Sequence, residues 1–255
     1  MFFFFLFSTC ESAATEPGVT IETDPAPAAA PEKSPAELVL DQALAAHGSG
    51  KYDEAHFQFV FREKTYTFHN DGGNYTYTLT QEKDDVIQFD QLINGEFTRQ
   101  VDGQAVSLTA KEMASGTEGL NSVIYFATLP HKLSDAAVNL HHAGTDTVKG
   151  ERYDVLDVNF NKEGGGVDHD DNFRYWFNQK THRIDYLAYD YLTNGGGVRF
   201  RSAYNPRVVD GVLFQDYVNY KAPLGTPLAD LGPMFDKEEL EKLSVIATEE
   251  VVRVQ

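Results

Sequence analysis

Apolar and polar residues alternate along much of the chain, and a two-residue period of this kind predicts β-strands with one buried face. The clearest run holds Phe57, Phe59 and Phe61 at alternate positions. Asn94 and Gly95 form a dipeptide that is typical of the tight turn between antiparallel strands. We therefore predict an antiparallel meander, with strands at residues 56–62, 64–69, 75–80, 86–93, 96–101 and 104–108.

Residues 168–191 predict a hairpin of two long strands joined at residues 178–181. On the first strand, Phe173, Tyr175 and Phe177 share one face. The opposite face of that strand carries Arg174, Trp176 and Asn178. On the second strand, one face carries Ile184, Tyr186 and Ala188, and the other carries Leu187, Tyr189 and Tyr191. Because both faces carry large apolar side chains, we expect this hairpin to lie centrally in a sheet that is covered on both sides. Further strands are predicted at residues 153–160, 198–204 and 212–220.

Helix signals are confined to a few segments. Ser34 and Glu37 are spaced as a capping box around Pro35, which suits a first helical turn, and Gly48 is a typical stop. These residues predict a helix over residues 35–47. Additional helices are predicted at residues 118–128, 134–140 and 237–243.

The predicted elements define a fold class. About ten antiparallel strands, mostly in sequence order, with few helices indicate an α+β fold built on one strongly curved sheet. We expect this sheet to form an incomplete β-barrel with the apolar helices on its concave face. The chain has 255 residues, of which 42% are hydrophobic, and this is enough for one domain with a sizeable core.

The first 33 residues differ in character from the rest. An apolar run, MFFFFLF, is followed by Ser8, Thr9 and Cys10, and this resembles the end of a bacterial lipoprotein signal peptide. The alternative is a hydrophobic terminus with an incidental cysteine. Residues 11–33 are rich in Ala, Pro and Glu and predict a disordered tether. The predicted domains are thus a signal peptide at 1–10 ending at a lipidated Cys10, a tether at 11–33 and one folded domain at 34–255.

Charge and cysteine content narrow the possible partners. The formal net charge is −18, so we expect no nucleic-acid partner, because few groups are available to neutralise phosphates. Cys10 is the single cysteine, which excludes an intramolecular disulfide. The predicted membrane contact is therefore a lipid anchor at Cys10.

An acidic cluster at the entrance of the hairpin is the best candidate for metal chemistry. Asp168, His169, Asp170 and Asp171 follow three glycines, and carboxylate and imidazole groups are ligands for Ca²⁺ or Zn²⁺. A solvated, turn-forming acidic loop is the alternative. The sequence contains no recognised catalytic or cofactor-binding motif, so we expect neither catalysis nor a cofactor.

Aromatic residues at strand positions are candidates for the lining of an apolar cavity. The candidates are Phe57, Phe59, Phe61, Tyr66, Phe68, Tyr75, Tyr77, Tyr175, Phe177 and Tyr186. Simple core packing is the alternative role for each of them.

Four arginines on predicted strands need partners if they are buried. Arg99, Arg174, Arg199 and Arg201 either pair with Asp185, Asp190 or Asp216 across the sheet, or bind an acidic group of a ligand. Five histidines are assigned structural roles, with His47 as a cation at a helix C-terminus, His141 and His142 in a surface loop, and His131 and His182 as structural residues.

Several motifs resemble known families. The strand with Tyr153, Val155, Asp157, Val158 and Phe160, followed by the aromatic hairpin, resembles the LolA/LolB superfamily of outer-membrane lipoprotein-sorting proteins. More narrowly, NSVIYFATLP, DHDDNFRYWFN and FQDYVNYK resemble an uncharacterised family of lipoproteins from Bacteroidota over residues 35–225. The wider resemblance implies a LolA-like half-open barrel, closed by a helix, that carries lipoproteins or lipids.

These observations predict a function. We expect a monomer, anchored by lipid in the cell envelope at the outer membrane (on its periplasmic or surface face), that binds a lipid or other hydrophobic ligand. The alternative is a metal-dependent hydrolase or lyase that uses the Asp168–Asp171 cluster with an arginine.

Overall fold

A computed structural model describes residues 32–161 and 171–254, and the account below concerns the unit Lys33–Gln255. Its first sheet has seven antiparallel strands in the order β14-β1-β2-β3-β4-β5-β6. The strands are β1 His56–Phe61, β2 Lys64–Asp71, β3 Asn74–Lys83, β4 Val86–Ile93, β5 Glu96–Val101, β6 Gln104–Ala105 and β14 Glu249–Arg253. The predicted meander is thus confirmed. Asn94 and Gly95 both have positive φ, as the tight turn between β4 and β5 requires.

The second sheet has seven antiparallel strands in the order β13-β12-β11-β10-β9-β8-β7. The strands are β7 Val138–Val148, β8 Glu151–Phe160, β9 Asn172–Asn178, β10 Ile184–Tyr191, β11 Gly197–Val209, β12 Val212–Ala222 and β13 Glu241–Ile246. The aromatic hairpin is β9 and β10, which lie centrally in this sheet. The predicted central position is therefore confirmed.

Three helices accompany the sheets in the described residues: α1 Pro35–His47, α2 Ala110–Ala127 and α3 Leu231–Asp236. Short 3-10 turns occupy Ser49–Lys51, His131–Ser134, Thr193–Gly195 and Leu228–Asp230. The Ser34 hydroxyl accepts from the Glu37 backbone N–H, and the Glu37 carboxylate accepts from the Ser34 N–H, so the predicted capping box is confirmed.

Helices α1 and α2 lie over the inner faces of the sheets. Ala36, Leu40 and Ala43 of α1 pack on the second sheet. Leu120 and Ile124 of α2 pack on the first sheet. Tyr125 and Phe126 of α2 contact the second sheet, so α2 spans both.

The opposite face of the second sheet is also covered. Trp176 is fully buried there, and its indole N–H donates to the Asp146 carboxylate at 2.9 Å. Leu231 and Phe235 of the α3 region pack on the same face. The hairpin therefore has apolar layers on both sides, as its two apolar faces predicted.

The two sheets meet at one edge of each. Strands β13 and β14 are separated by Ala247 and Thr248, and we call this connection the sheet junction. The Asp216 carboxylate of β12 accepts from the Thr248 N–H at 3.0 Å and from Arg207 at 3.1 Å. Arg207 also donates to the Thr248 carbonyl. These bonds fix the junction, while the far edges, β6 and β7, leave the described sheets open.

The predicted α+β fold with open, curved antiparallel sheets is confirmed, but details differ. The described residues form fourteen strands in two sheets rather than about ten in one. The helices predicted at 134–140 and 237–243 are wrong, because those segments enter β7 and β13. Both strands are half exposed and largely polar, so a short stretch of each resembles an amphipathic helix. Helix α2 begins at Ala110, well before the predicted start at 118, because Thr109 and Glu112 form a capping box.

Candidate functional site

A cavity of about 320 Å³ lies between α2 and the sheet junction. Strands β1 and β10–β13 and the C-terminal half of α2 form its walls. Its apolar lining consists of Phe59, Phe61, Val123, Phe126, Ala127 and Ile246. Its polar and amphipathic lining consists of Arg62, Ser122, Tyr189, Arg201, Gln215, Tyr217, Asn219 and Thr248. The volume is at the lower end of the range of about 300–1,000 Å³ that is usual for small-molecule sites.

The apolar wall follows from two sequence periods. Alternation along β1 puts Phe59 and Phe61 on the same inward face. On α2, Val123, Phe126 and Ala127 are spaced three and four apart and form one helical stripe. This stripe lies beside the one that packs on the first sheet, so the wide apolar face of α2 covers both core and cavity. The spacing of these α2 residues was a signal that the strand-based prediction of the lining missed.

Most of the predicted lining residues lie in the packed core. Phe59 and Phe61 reach the cavity wall. The others on the first sheet, Phe57, Tyr66, Phe68, Tyr75 and Tyr77, belong to the apolar cluster that includes Leu120 and Ile124 of α2, and Tyr66 also lines a second cavity. On the second sheet, Tyr175 and Phe177 pack under α1.

Tyr186 lies on the opposite face of the second sheet from the cavity, which corrects its predicted place among the lining residues. It packs with Phe200 and Phe235, at ring-centroid distances of 5.5 and 5.4 Å. A bulge between Ile184 and Tyr186 breaks the two-residue period, so Ile184 faces α1 together with Leu187. Simple alternation would have put Ile184 and Tyr186 on one face.

Two of the four strand arginines form bidentate pairs with carboxylates on neighbouring strands. Arg99 donates to both oxygens of Asp90 at 2.6 and 2.7 Å. Arg174 donates to both oxygens of Asp157 at the same distances. The sequence predicted Asp185, Asp190 and Asp216 as the partners of these arginines, and that prediction is wrong. Asp185 accepts a hydrogen bond from Asn178, Asp190 accepts one from Asn172, and Asp216 pairs with Arg207.

Arg201 lines the cavity and has a different environment. The residue is 7% exposed, and its guanidinium carbon lies 3.7 Å from the ring centroid of Phe126 and 5.2 Å from that of Tyr189. One terminal nitrogen donates to the Tyr189 hydroxyl at 2.9 Å, while the buried Nε has no hydrogen-bond partner. Among the described residues, Arg201 has no ion pair with a carboxylate. A positive charge therefore lies in the cavity wall, held by aromatic groups.

Tyrosine hydroxyls lie close to this charge. Tyr125 and Tyr175 share a hydrogen bond of 2.5 Å, and Gln215 donates to the Tyr217 hydroxyl at 2.8 Å. Burial raises the pKa of Tyr217 to about 12 and also raises the pKa of Tyr125 and of Tyr175, although Arg201 opposes each shift. The three phenols are neutral at physiological pH and therefore supply no counter-charge for Arg201.

A second cavity, of about 310 Å³, lies beside the N-terminal half of α2. Asp90 and Arg99 belong to its lining, but each already satisfies the other. Glu112, which also lines it, caps α2 through Thr109. Because these charges are paired or serve the helix, this cavity is a weaker candidate for ligand recognition.

His47 is buried rather than a charged residue at the end of α1, which corrects the sequence-based interpretation. Its Nδ1 donates to the Ala43 carbonyl at 2.8 Å, and its Nε2 is buried without a partner. Burial, with a smaller contribution from the Arg183 charge, lowers the pKa of His47 to about 4 despite that hydrogen bond. The imidazole is therefore neutral at physiological pH.

Other histidines lie on ordered elements. His131 stacks on Tyr52 with centroids 4.6 Å apart. His141 and His142 belong to β7 rather than to a loop, and the His142 ring nitrogen lies 3.6 Å from the Asp154 carboxylate. Within residues 32–161 and 171–254, no group of three or more His, Cys, Asp or Glu side chains could hold a metal ion.

Two predicted sites lie outside the described residues. Cys10 is one, and Asp168, His169 and Asp170 of the acidic cluster are the other. Asp171 is described and is buried. No helix in the described part of the chain has the length and hydropathy needed to span a membrane.

Comparison with known sequences gives the family. The profile of a family of unknown function, DUF6503, matches residues 47–248, which is most of the chain. The chain belongs to this family. The match includes the aromatic hairpin, α2, and every residue that lines the cavity. No curated protein matches the chain significantly.

Solved structures are similar to this chain at low sequence identity. A LolA superfamily protein from Nitrosomonas europaea is 11% identical, with a TM-score of 0.51 over 86% of this chain and 94% of that one. A DUF1329 family protein from Desulfovibrio piger is 10% identical, with a TM-score of 0.44 over 87% and 94%. A putative outer membrane lipoprotein-sorting protein domain from Vibrio parahaemolyticus is 9% identical, with a TM-score of 0.39 over 79% and 99%. The first similarity establishes a LolA-like fold for this member of DUF6503.

Proposed function

We propose that this protein binds and carries a lipid or another hydrophobic ligand in the cavity between α2 and the sheet junction, without catalysis. The observation that carries the proposal is the cavity itself, which combines an apolar wall with a few polar groups. Its place under a helix, inside an open curved sheet, agrees with the carrier role that the LolA resemblance implies. The volume suits one small amphiphile or one chain of a larger lipid.

The proposed location is the cell envelope, at the outer membrane. A lipid on Cys10 would anchor the chain, and residues 11–33 would act as a tether. A tether of about 23 residues spans at most roughly 80 Å when fully extended. The folded domain would then act as a monomer near the membrane that supplies or receives its ligand.

Filling the cavity is the direct test of the binding site. The dye N-phenyl-1-naphthylamine is uncharged and fluoresces more strongly in apolar surroundings, so it reports occupancy. Ala127 lines the cavity, and we expect Ala127→Trp to weaken dye binding by about tenfold or more, because the indole occupies the space of the ligand. Ala114→Trp is the matched control, since Ala114 is an exposed residue of the same helix.

The outcome separates a ligand site from an incidental void. Dye binding that is equal in wild type and Ala127→Trp would exclude this cavity. Absence of dye binding to wild type, together with no lipid in mass spectra of extracts from the purified protein, would exclude hydrophobic carriage.

The anchor has its own test. We expect Cys10→Ala to move the protein from the membrane fraction to the soluble fraction of the envelope, because the acyl chains of the anchor supply the membrane affinity. Fractionation with immunoblotting measures the distribution, and mass spectrometry of the mature N-terminus measures the lipid. Unchanged membrane retention with no lipid on the wild-type protein would disprove the lipoprotein assignment. Ser8→Ala is the control, because it leaves the cysteine in place.

A further inference from the structure

Arg201 differs from Arg99, Arg174 and Arg207 in what neutralises it. Arg99 and Arg174 each face a carboxylate in bidentate geometry. Arg207 shares the Asp216 carboxylate at the sheet junction. Arg201 is the most buried of these four, and in the described residues its guanidinium lies against two aromatic rings and donates to a phenol hydroxyl rather than to a carboxylate.

A bound anion would stabilise an arginine that is buried in this way. Arginine stays protonated under all ordinary conditions, and a buried charge without a counter-charge is destabilising. Its contacts with Phe126 and Tyr189 are favourable but do not cancel the charge. The buried Nε–H has no hydrogen-bond partner in the described part of the chain, and it could complete a bidentate pair with an acidic group.

A second unsatisfied atom lies in the same wall. The Asn219 Oδ1 is buried without a hydrogen bond, and the Nδ2 donates to the Ser244 hydroxyl at 3.4 Å. Rotating the amide by half a turn would let Oδ1 accept from the Ser244 hydroxyl and would present Nδ2 as a donor at the unsatisfied position. Asn219 is the cross-strand neighbour of Arg201, so both donors would serve the same end of the cavity.

We infer that the ligand is a single-chain amphiphile with an acidic head group, which binds Arg201 while its chain lies along Phe59, Phe61 and Val123. This inference rests on the proposed function and specifies the chemistry of its ligand. A carboxylate and a phosphate share the required features, namely negative charge and paired acceptor oxygens. The volume of about 320 Å³ limits the buried part to one chain.

Competition against the neutral dye tests the head-group preference. Dodecanoate, dodecyl phosphate and dodecanol have the same chain length and differ in the head group. For wild-type protein, we expect at least one acid to displace the dye at a concentration about tenfold or more below that of dodecanol, since a hydrogen bond to a charged group outweighs a neutral one. The stronger of the two acids identifies the head group as carboxylate or phosphate.

Substitution of the arginine tests its role. Arg201→Gln should retain dye and dodecanol binding but lose the preference for the acids. Arg199→Gln is the matched control, because Arg199 also lies on β11, stacks on a tyrosine ring at 5.1 Å and donates to that tyrosine's hydroxyl at 2.5 Å, yet does not line the cavity. It should keep the wild-type preference.

The possible failures are distinguishable. Equal displacement by acids and alcohol in wild type, or a preference that survives in Arg201→Gln, overturns the inference and leaves hydrophobic binding intact. No dye binding to wild type overturns the proposed function itself. If Arg201→Gln does not fold, the wild-type comparison of acid with alcohol at low and high salt still decides, because a buried charge pair keeps its preference in salt while surface attraction loses it.

Discussion

Replacing Asp216 with alanine is expected to lower the free energy of unfolding by about 3–5 kcal/mol, because it breaks a buried ion pair and leaves its partners unsatisfied. Asp216 is 4% exposed. One carboxylate oxygen accepts from the Thr248 N–H, the Thr248 hydroxyl and Arg207, and the other accepts from the Asn205 amide at 2.7 Å. The substitution removes all four acceptor contacts at once.

Urea unfolding followed by circular dichroism measures the change. Asp210→Ala is the matched control, since it breaks an ion pair with Arg253 in which both side chains are about half exposed. That pair should contribute about 1 kcal/mol or less. Similar losses for the two variants would mean that the Asp216 network does not hold the sheet junction together.

The same substitution should also weaken ligand binding. Thr248 lines the cavity and takes its position from Asp216. Loss of the junction would loosen the wall formed by β13 and Thr248, so the neutral dye should bind less tightly to Asp216→Ala than to Asp210→Ala. Stability and binding are thus coupled through one carboxylate.

Local patterns predicted the parts of the fold that depend on local chemistry. The alternation in the aromatic hairpin identified a strand pair covered on both faces, and Phe173 and Trp176 do lie in different apolar layers. The Asn94-Gly95 turn and the Ser34–Glu37 capping box were also recognisable, because each depends on a few adjacent residues.

Features that depend on the pairing of strands far apart in the sequence were not predictable from local patterns. Strand β14 pairs with β1, although Phe57 and its partner Arg253 lie near opposite ends of the folded domain. This pairing creates the sheet junction and hence one wall of the cavity. No short pattern indicates it, because β13 and β14 are edge segments with mostly exposed side chains.

The candidate site was predictable only in part for similar reasons. Phe59 and Phe61 were identified from alternation, but the bulge that turns Tyr186 away is not visible in the two-residue period. The arginines were identified as candidates for charge recognition. Which of them have a carboxylate partner depends on strand register, which places Asp157 opposite Arg174 but Leu187 opposite Arg201 and Tyr189 opposite Arg199.

The second large effect is a loss of folding stability that we expect at acidic pH. The His47 pKa is about 4 in the folded protein and about 6.5 in an unfolded chain, so the unfolded state binds a proton more readily. The stability that neutral His47 supports is fully present above pH 6.5 and is lost as the pH falls towards 4. At a pH of about 4, protonation of this residue lowers the free energy of unfolding by about 3 kcal/mol, because each pKa unit corresponds to about 1.36 kcal/mol.

The structure explains why this histidine resists protonation. The C-terminus of a helix normally favours a histidine cation, and the bond from Nδ1 to the Ala43 carbonyl acts in the same direction. Burial outweighs both, because a proton on Nε2 would put a charge where no acceptor is available, and the Arg183 charge adds repulsion. Protonation is therefore coupled to exposure of the end of α1.

Urea unfolding at several pH values between 7 and 4 tests this coupling. His47→Gln keeps an N–H donor for Ala43 but cannot take up a proton, so its stability should fall less than that of wild type across the window. His141→Gln, at an exposed position of β7, should follow the wild-type curve. If His47→Gln and wild type lose stability in parallel from pH 6.5 to 4, then other groups cause the acid sensitivity and His47 is not its source.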